Sequence, residues 1–431
     1  MKGVANIRKK PTGFLVFNAF WQHKLALIIL VINVVILFLF GFYLPGAFYP
    51  WFFGLFFGFV LQRSRFCFAS AFRDIFLIRN TRLTRAVLIG LIVSTIGFLV
   101  IETLMPGLSF LETFAKVRPV GLFTGVGAFL FGVGMVVAGG CASGVLMRSG
   151  EGYLMQWVAL LGFLVGSGVG AWQMGWWYDN FIEASPAIYL PHLLGWSGAV
   201  VIQFLLLLGL IFLAYAYEIN WKSPFRLKAV FFLEDLGKMF SGIITDSEKS
   251  SLYNSLLKKP WPYVIGGVSL GLLNIFFFAL WGAPWGVTTG MTYFAAWASE
   301  LLGTVPHNWY FFNEKLFLDD WHCICIFPDA SVPFFTLPLI YHFMAIIMGS
   351  FLAALLAGEF RIRKWRSGRF FYAALIGGVM MGFGARIALG CNIGAFFSAI
   401  PSFSLHGWIF GIFVLAGSYV GGKVLLHFLV D

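Results

Sequence analysis

Two stretches of the chain place a single cysteine among glycines inside a long apolar run. GMVVAGGCASG begins at Gly134, and GARIALGCNIG begins at Gly384. A helix broken by glycine exposes peptide N–H groups and a positive dipole end, which suit an anion. A thiol in apolar surroundings stays protonated and is a weak S–H donor to a soft acceptor. The pattern therefore favours a broken helix that binds an anion over a helix that only packs.

The two stretches are one pattern used twice. Registering Cys391 on Cys141 sets an offset of 250 residues and aligns five further glycines in each copy. The aligned pairs are Gly127–Gly377, Gly132–Gly382, Gly134–Gly384, Gly140–Gly390 and Gly144–Gly394. We interpret this register as an internal repeat. The first two pairs are expected to let helices approach closely, whereas Gly140, Gly144, Gly390 and Gly394 bracket the cysteines and are expected to open the helix.

Two further residues within predicted spans have types that could act on an anion. Cys67 lies in RFCF, close to basic residues. Arg386 is a charge inside an apolar run, and such residues usually face the protein interior and mark an ion path. Its repeat mate is Val136, so packing symmetry does not require it. The alternative for Arg386 is a structural pair with a buried acid.

The composition is that of a membrane protein with several spans. Of the 431 residues, 60% are hydrophobic and 11% charged, against about 25% charged in soluble domains. Apolar runs long enough to cross a bilayer recur without the alternation of barrel strands. The predicted spans are 25–44, 51–72, 86–105, 120–147, 153–176, 195–217, 262–282, 335–357, 370–397 and 408–429, and 284–300 is predicted to be re-entrant.

These spans divide the chain into two membrane halves. We predict a cytoplasmic segment 1–24, a first half 25–217, a cytoplasmic linker 218–261 and a second half 262–431 with an extracytoplasmic insertion at about 301–334. In this topology 120–147 and 370–397 run in opposite directions, so the fold class is an all-α polytopic membrane protein with two inverted pseudo-symmetric halves. Broken or re-entrant helices would meet at a central pathway, the usual plan of transporters.

Basic residues set the predicted orientation. Loops on the side of the termini hold most of them, including Arg73, Arg79, Arg82, Arg85, Arg361 and Arg363, whereas the opposite side holds Lys116, Arg118 and Lys315. The positive-inside rule then places both termini in the cytoplasm of a prokaryotic plasma membrane. It also explains the net charge of +11 without a nucleic-acid partner; membrane lipid is the expected surrounding.

Several motifs resemble the YeeE/YedE sulphur-transport membrane proteins. They are FCFASAFRD (66–74), GGCASG (139–144), GAPWGVTTG (282–290) and GARIALGCNIGAFFSAIPSFSLHGW (384–408). The resemblance implies two pseudo-symmetric halves that carry thiosulfate inward, with Cys67, Cys141 and Cys391 passing the anion along by S–H hydrogen bonds. Within the matching motifs, Asn392, Thr288, Thr289 and Gly290 join the candidate pathway residues Arg386, Gly140, Gly144, Gly390 and Gly394.

The chain departs from the plainest members of that family. It has an acidic insertion with HCIC at 322–325, where Cys323, Cys325 and a histidine make only half a metal site. We expect an ordinary loop there, no metal and no cofactor. We expect no appended soluble sulphur-carrier domain, so a separate cytoplasmic carrier is the partner that the resemblance suggests.

Three classes of function stay open from the sequence. The first is a transporter for thiosulfate, or for another sulphur or selenium species. The second is a membrane thiol redox enzyme, which needs a second cysteine near the reactive one. The third is an anchor subunit that holds a soluble sulphur or selenium enzyme through the linker 218–261. We favour the first, and therefore a protein that is not an enzyme.

Overall fold

The structure is a computed structural model that describes residues 14–16, 18–104, 117–218, 254–312, 337–365 and 367–430. The predicted segment 1–24, the linker 218–261 and the insertion at about 301–334 fall largely outside these ranges, as do Cys323 and Cys325. Among the described residues, ten helices are long and apolar enough to cross a membrane. They overlap the ten predicted spans one for one, which confirms the all-α polytopic class.

The helices form two groups along the chain. The first group is α1 (Ala19–Tyr43), α2 (Pro45–Ser64), α3 (Phe68–Leu77), α4 (Arg82–Leu104), α5 (Leu122–Val137), α6 (Ala142–Gly150), α7 (Leu154–Trp172) and α8 (Leu190–Glu218). The second group is α9 (Tyr263–Trp281), α10 (Thr288–Glu300), α11 (Pro338–Leu356), α12 (Gly368–Ile387), a π-helix (Asn392–Ser398) and α13 (Leu405–Leu425). A two-stranded ribbon pairs β1 (Phe14–Val16) antiparallel with β2 (Arg361–Arg363).

Three of the predicted spans are interrupted where a cysteine stands. The stretch 120–147 divides into α5 and α6, and 370–397 divides into α12 and the π-helix, as the glycines predict. The stretch 51–72, which we expected to be one helix, also divides, into α2 and α3. The region 284–300 forms the 13-residue α10, too short to span a bilayer.

Helices α5 and α12 pack against each other in antiparallel directions. A Cβ added at Gly127, near the start of α5, would lie 2.5 Å from the backbone nitrogen of Ala388, just past the end of α12. A Cβ added at Gly377, in the first half of α12, would lie 2.6 Å from the backbone nitrogen of Ala138. The 250-residue offset exchanges Gly127 with Gly377 and Ala388 with Ala138, so each contact is the repeat equivalent of the other. Only glycine allows backbones to approach this closely.

The other helix contacts are reciprocal in the same way. Helix α12 packs on α7, and the corresponding helix α5 packs on α13. Helix α2 packs on α11, and the corresponding helix α9 packs on α4. Likewise α3 contacts α13 while α10 contacts α7. Reciprocal contacts of this kind are what an inverted repeat requires. Helices α1 and α8 lie outside this arrangement and expose long rows of apolar side chains.

We predict that Gly384→Ala destabilises the fold through the α5–α12 contact. Its Cβ would lie 2.5 Å from the carbonyl oxygen of Gly127 and 2.8 Å from the backbone nitrogen of Phe131. Overpacking of this kind costs about 1–3 kcal/mol, so the unfolding temperature of the purified protein in detergent should fall. The matched control is Gly209→Ala in α8, where no atom lies within 4 Å of the added Cβ. Equal unfolding temperatures for the two variants would contradict the close contact.

Candidate functional site

The same backbone turn precedes each of the three cysteines in the described part of the chain. Two positions before each cysteine the backbone is left-handed, with φ of 49°, 77° and 55° at Arg65, Gly139 and Leu389. One position before each, a peptide N–H donates to a carbonyl five residues back, which is the Schellman arrangement that ends a helix. These bonds run from Phe66 to Leu61 (2.9 Å), Gly140 to Met135 (3.0 Å) and Gly390 to Ala385 (2.8 Å).

Each cysteine then forms the N-terminal cap position of the next helix. Its carbonyl accepts a hydrogen bond from the N–H four residues on, at 3.1 Å for Cys67, 2.8 Å for Cys141 and 2.7 Å for Cys391. All three side chains are buried, and none forms a disulfide. The turn satisfies the last carbonyls of one helix, and the first N–H groups of the next begin beside the thiol.

Two of the thiols meet at Gly144. A Cβ at Gly144 would lie 2.9 Å from Sγ of Cys67 and 3.5 Å from Sγ of Cys141. Both thiols border this position, and Sγ of Cys141 is also 3.3 Å from the hydroxyl of Ser143. Gly144 therefore provides the space in which these two thiols stand side by side. This pairing joins α3 to α6, which sequence spacing alone does not reveal.

The third thiol, Cys391, has its own surroundings. A Cβ at the preceding Gly390 would lie 3.0 Å from the backbone nitrogen of Ala395 and 3.2 Å from Nη1 of Arg118. The following residue, Asn392, is fully buried, and its Nδ2 lies 3.2 Å from Sδ of Met135 on α5. A guanidinium and an amide thus flank this cysteine.

Arg386 lies on a different face of α12. Its side-chain stem packs against Gly170 of α7, and its guanidinium carbon is 5.2 Å from the ring centroid of Phe311. Arg386 is 3% exposed. It is two positions after Gly384, or about 200° around a helix, and Gly384 is the residue that faces α5. The predicted anion-binding role of Arg386 stays a prediction.

The remaining candidate residues are distributed between the two halves. Gly140 lies by Gln156, since a Cβ there would be 3.2 Å from Oε1 of that residue. Gly394 is buried in the π-helix. Thr288, Thr289 and Gly290 begin α10, and a side chain at Gly290 would collide with the carbonyl of Leu339 on α11. The π-helix reaches the loop before α10 through Ser398, whose hydroxyl donates to the carbonyl of Trp285 at 2.7 Å.

A cluster of charged side chains adjoins the Cys67 end of α2. Arg63 is 1% exposed and forms a 2.8 Å ion pair with Glu359. Its guanidinium also donates to the amide oxygen of Gln62 at 2.7 Å. Gln62 in turn donates to Glu151 at 3.2 Å and to Glu359 at 3.4 Å. The cluster ties together the ends of α2, α6 and α11.

Sequence reasoning missed three of these groups. Arg148 donates to the carbonyl of Gly139 in the turn before Cys141. It lies seven residues after Cys141, two helical turns on, so helical periodicity could have indicated it. The approach of Arg118 to Gly390 and the pairing of Gln62 with Glu151 join residues far apart in the chain and had no local signal.

The Glu151 carboxyl lies just beyond the end of α6 and is substantially buried. Burial raises the pKa of the Glu151 carboxyl, although the Gln62 hydrogen bond and the nearby arginines oppose that shift. The folded protein therefore holds this proton more tightly than the unfolded chain does. The protonated carboxyl contributes to the free energy of unfolding. This contribution is complete at pH values below the usual Glu pKa of about 4.5, and it is lost as pH rises through the raised pKa of the folded state.

We therefore predict that Glu151→Gln raises the unfolding temperature near neutral pH. Glutamine keeps an acceptor oxygen for Gln62 and removes the cost of a buried charge. The gain in unfolding temperature should shrink as pH falls towards the usual Glu pKa. Thermal unfolding measured across that pH range tests this. Glu300→Gln, at the exposed end of α10, should change the unfolding temperature little. A gain that grows on acidification would contradict the raised pKa.

The ten apolar helices, packed through glycines and interrupted at buried thiols, define a polytopic helical membrane protein with cysteines at its helix breaks. A family model described as "Sulphur transport" matches residues 63–420, from the end of α2 to the last turns of α13. The chain belongs to this sulphur-transport family. The match contains all three described thiols and the helix breaks that hold them.

Two known relatives align with most of this chain, and a third aligns with part of it. The protein named thiosulfate transporter TsuA from Spirochaeta thermophila is 28% identical over 396 residues, covering 87% of this chain and 97% of the relative. The protein of the same name from Escherichia coli is 29% identical over 371 residues, covering 84% of this chain and 90% of the relative. The probable transporter YedE of Escherichia coli is 34% identical over 172 residues, or 39% of each chain.

Proposed function

We propose that this protein takes up thiosulfate across the prokaryotic plasma membrane, with Cys67, Cys141 and Cys391 as successive hydrogen-bond donors. The observation that carries the proposal is the repeated site: three buried thiols, each placed by the same helix-ending turn. The names of the two relatives that match nearly the whole chain support thiosulfate as the substrate and transport rather than catalysis.

The chemistry of the anion fits this site. Thiosulfate is a dianion with a soft terminal sulphur, and a neutral S–H group is a weak donor to soft acceptors. Peptide N–H groups in the first turns of α3 and α6 would offset part of the lost hydration. Weak contacts at successive sites let an ion enter and leave, as conduction requires. A thiolate at any of these positions would repel the anion.

The arrangement of the thiols suggests two stations. Cys391 follows α12 and is flanked by Arg118 and Asn392. Cys67 and Cys141 share the space at Gly144, close to the cluster of Arg63 and Glu359. The anion would pass from the Cys391 station to the paired thiols and leave past that cluster. Arg386, Gly140, Gly394, Thr288, Thr289 and Gly290 belong to the proposed pathway as further lining residues.

The orientation and the partners form part of the same proposal. With both termini in the cytoplasm, Arg63 and Glu359 face the cytoplasmic side and Arg118 faces the opposite side. The two halves, 25–217 and 262–431, would be the inverted repeats, and the reciprocal helix contacts support this division. A cytoplasmic sulphur-carrier protein would receive the anion, and membrane lipid would cover the apolar surfaces of α1 and α8.

The test is uptake of labelled thiosulfate by liposomes that contain the purified protein. We predict uptake by the wild type and near-complete loss for Cys67→Ala, Cys141→Ala and Cys391→Ala, because each removes one donor from the series. The double variant Cys323→Ala/Cys325→Ala serves as the thiol control and should keep uptake. Normal uptake by all three single variants would falsify the relay.

Serine variants at the same positions separate hydrogen bonding from thiol redox chemistry. Serine keeps a neutral hydroxyl donor but cannot be oxidised to a disulfide. A relay of neutral donors predicts that Cys→Ser retains measurably more uptake than Cys→Ala at each position. Equal loss for serine and alanine at Cys67 and Cys141, with Cys391 dispensable, would instead indicate a dithiol reaction at the Gly144 pair.

A further inference from the structure

Arg118 is a half-buried arginine that approaches the Cys391 turn from a distant part of the chain. It precedes α5, and its Nη1 lies 3.2 Å from the position that a Cβ on Gly390 would occupy. Gly390 is the last residue before Cys391, so the guanidinium lies directly against the turn that places the thiol. Any side chain at position 390 would push this guanidinium away.

The charge of Arg118 is not neutralised within the described part of the chain. Across those ranges, every ion pair involves other arginines, such as Arg63 with Glu359. The charge of Arg118 acts on His406, a wholly buried ring whose Nε2 lies 3.1 Å from the carbonyl of Ala388. Neither the His406 ring nor the buried turn supplies a negative charge to Arg118. A cation in this position favours a bound anion.

A second polar side chain beside the same thiol has one atom without a hydrogen-bond partner among the described residues. Asn392 is 0% exposed, and its Oδ1 forms no hydrogen bond within the described residues, while Nδ2 lies against the thioether of Met135. Buried polar groups without partners are rare in native structures and commonly mark a ligand or water position.

The other glycine–cysteine turn uses its arginine differently. At Gly139–Cys141 the guanidinium of Arg148 is engaged by the carbonyl of Gly139. Arg118 has no repeat mate in sequence, since the aligned position is Gly368. The two turns have the same backbone conformation. Only the turn before Cys391 has a guanidinium beside it that no described protein group engages. An anion attracted by charge would therefore engage the Cys391 turn first.

We infer that Arg118 and Asn392 form an oxyanion subsite that binds the charged oxygens of the substrate and points its terminal sulphur at Cys391. The planar guanidinium offers paired N–H donors that match two oxygens of a tetrahedral oxyanion. Rotating the Asn392 amide by 180° exchanges its nitrogen and oxygen, gives up the weak Nδ2–H···Sδ contact with Met135 and supplies a further donor to the anion. The subsite recognises the oxygen end, and the thiol distinguishes sulphur from a fourth oxygen. The inference rests on the proposed function.

The first test is the concentration dependence of thiosulfate uptake. Hydrogen bonds to a charged group contribute about 1.5–3 kcal/mol, so Arg118→Gln should raise the half-saturating concentration about 10- to 150-fold. The maximal rate should stay within about twofold, since this group binds before the thiol relay acts. Arg118→Lys should be intermediate because it keeps the charge without the planar fork. The control Arg369→Gln, an exposed charge at the opposite end of α12, should match the wild type.

The second test measures binding without transport. Thiosulfate and sulfate should each raise the unfolding temperature of the detergent-solubilised wild type, and Arg118→Gln should lose both shifts while unfolding normally without anion. If the wild type shows these shifts but no uptake, the subsite stands and the transport proposal fails. If the wild type transports and Arg118→Gln matches it in both half-saturating concentration and thermal shift, the subsite is overturned and transport stands.

Discussion

A helix that ends inside a membrane protein must satisfy its last carbonyls without water, and the arrangement of this site depends on that constraint. The chain meets it with one turn used three times, each with a left-handed residue and an N–H bonded five residues back. The turn ends one helix, starts the next and leaves a cysteine at the junction. Because the last carbonyls of the preceding helix are satisfied in this way, the backbone groups left beside each thiol are the first N–H groups of the next helix.

The glycines between α5 and α12 give these turns their relative positions. Contacts of Gly127 with Ala388 and of Gly377 with Ala138 are reciprocal, so neither helix can slide without breaking both. Side chains then make the halves unequal. Cys67 follows α2, whereas the loop before α10 holds Trp285, whose ring stacks on that of Phe57 with 3.9 Å between the ring centroids. The thiols of Cys67 and Cys141 both border Gly144, whereas Cys391 is flanked by Arg118 and Asn392.

The arginines around the thiols differ in what satisfies them. Arg63 is held by Glu359 and by backbone carbonyls from the end of the linker, so its burial is compensated. Arg148 is held by a turn carbonyl. Arg118 has neither kind of partner in the described chain, and its approach to Gly390 puts a cation against the turn before Cys391. In the proposed pathway, the guanidinium without a protein partner would lie at the Cys391 end and the compensated guanidinium at the Cys67 end.

The sequence by itself determined the membrane class, the ten spans and two of the helix breaks, because apolar length and glycine spacing are local properties. It also identified the three cysteines. It did not predict the break before Cys67, because Phe66 precedes that cysteine where Gly140 and Gly390 precede the other two. Only the tertiary structure brought Cys67 to Cys141 and Arg118 to Gly390, and turned Arg386 towards Phe311. Such contacts join residues tens to hundreds of positions apart, and helix packing, which no local pattern encodes, decides them.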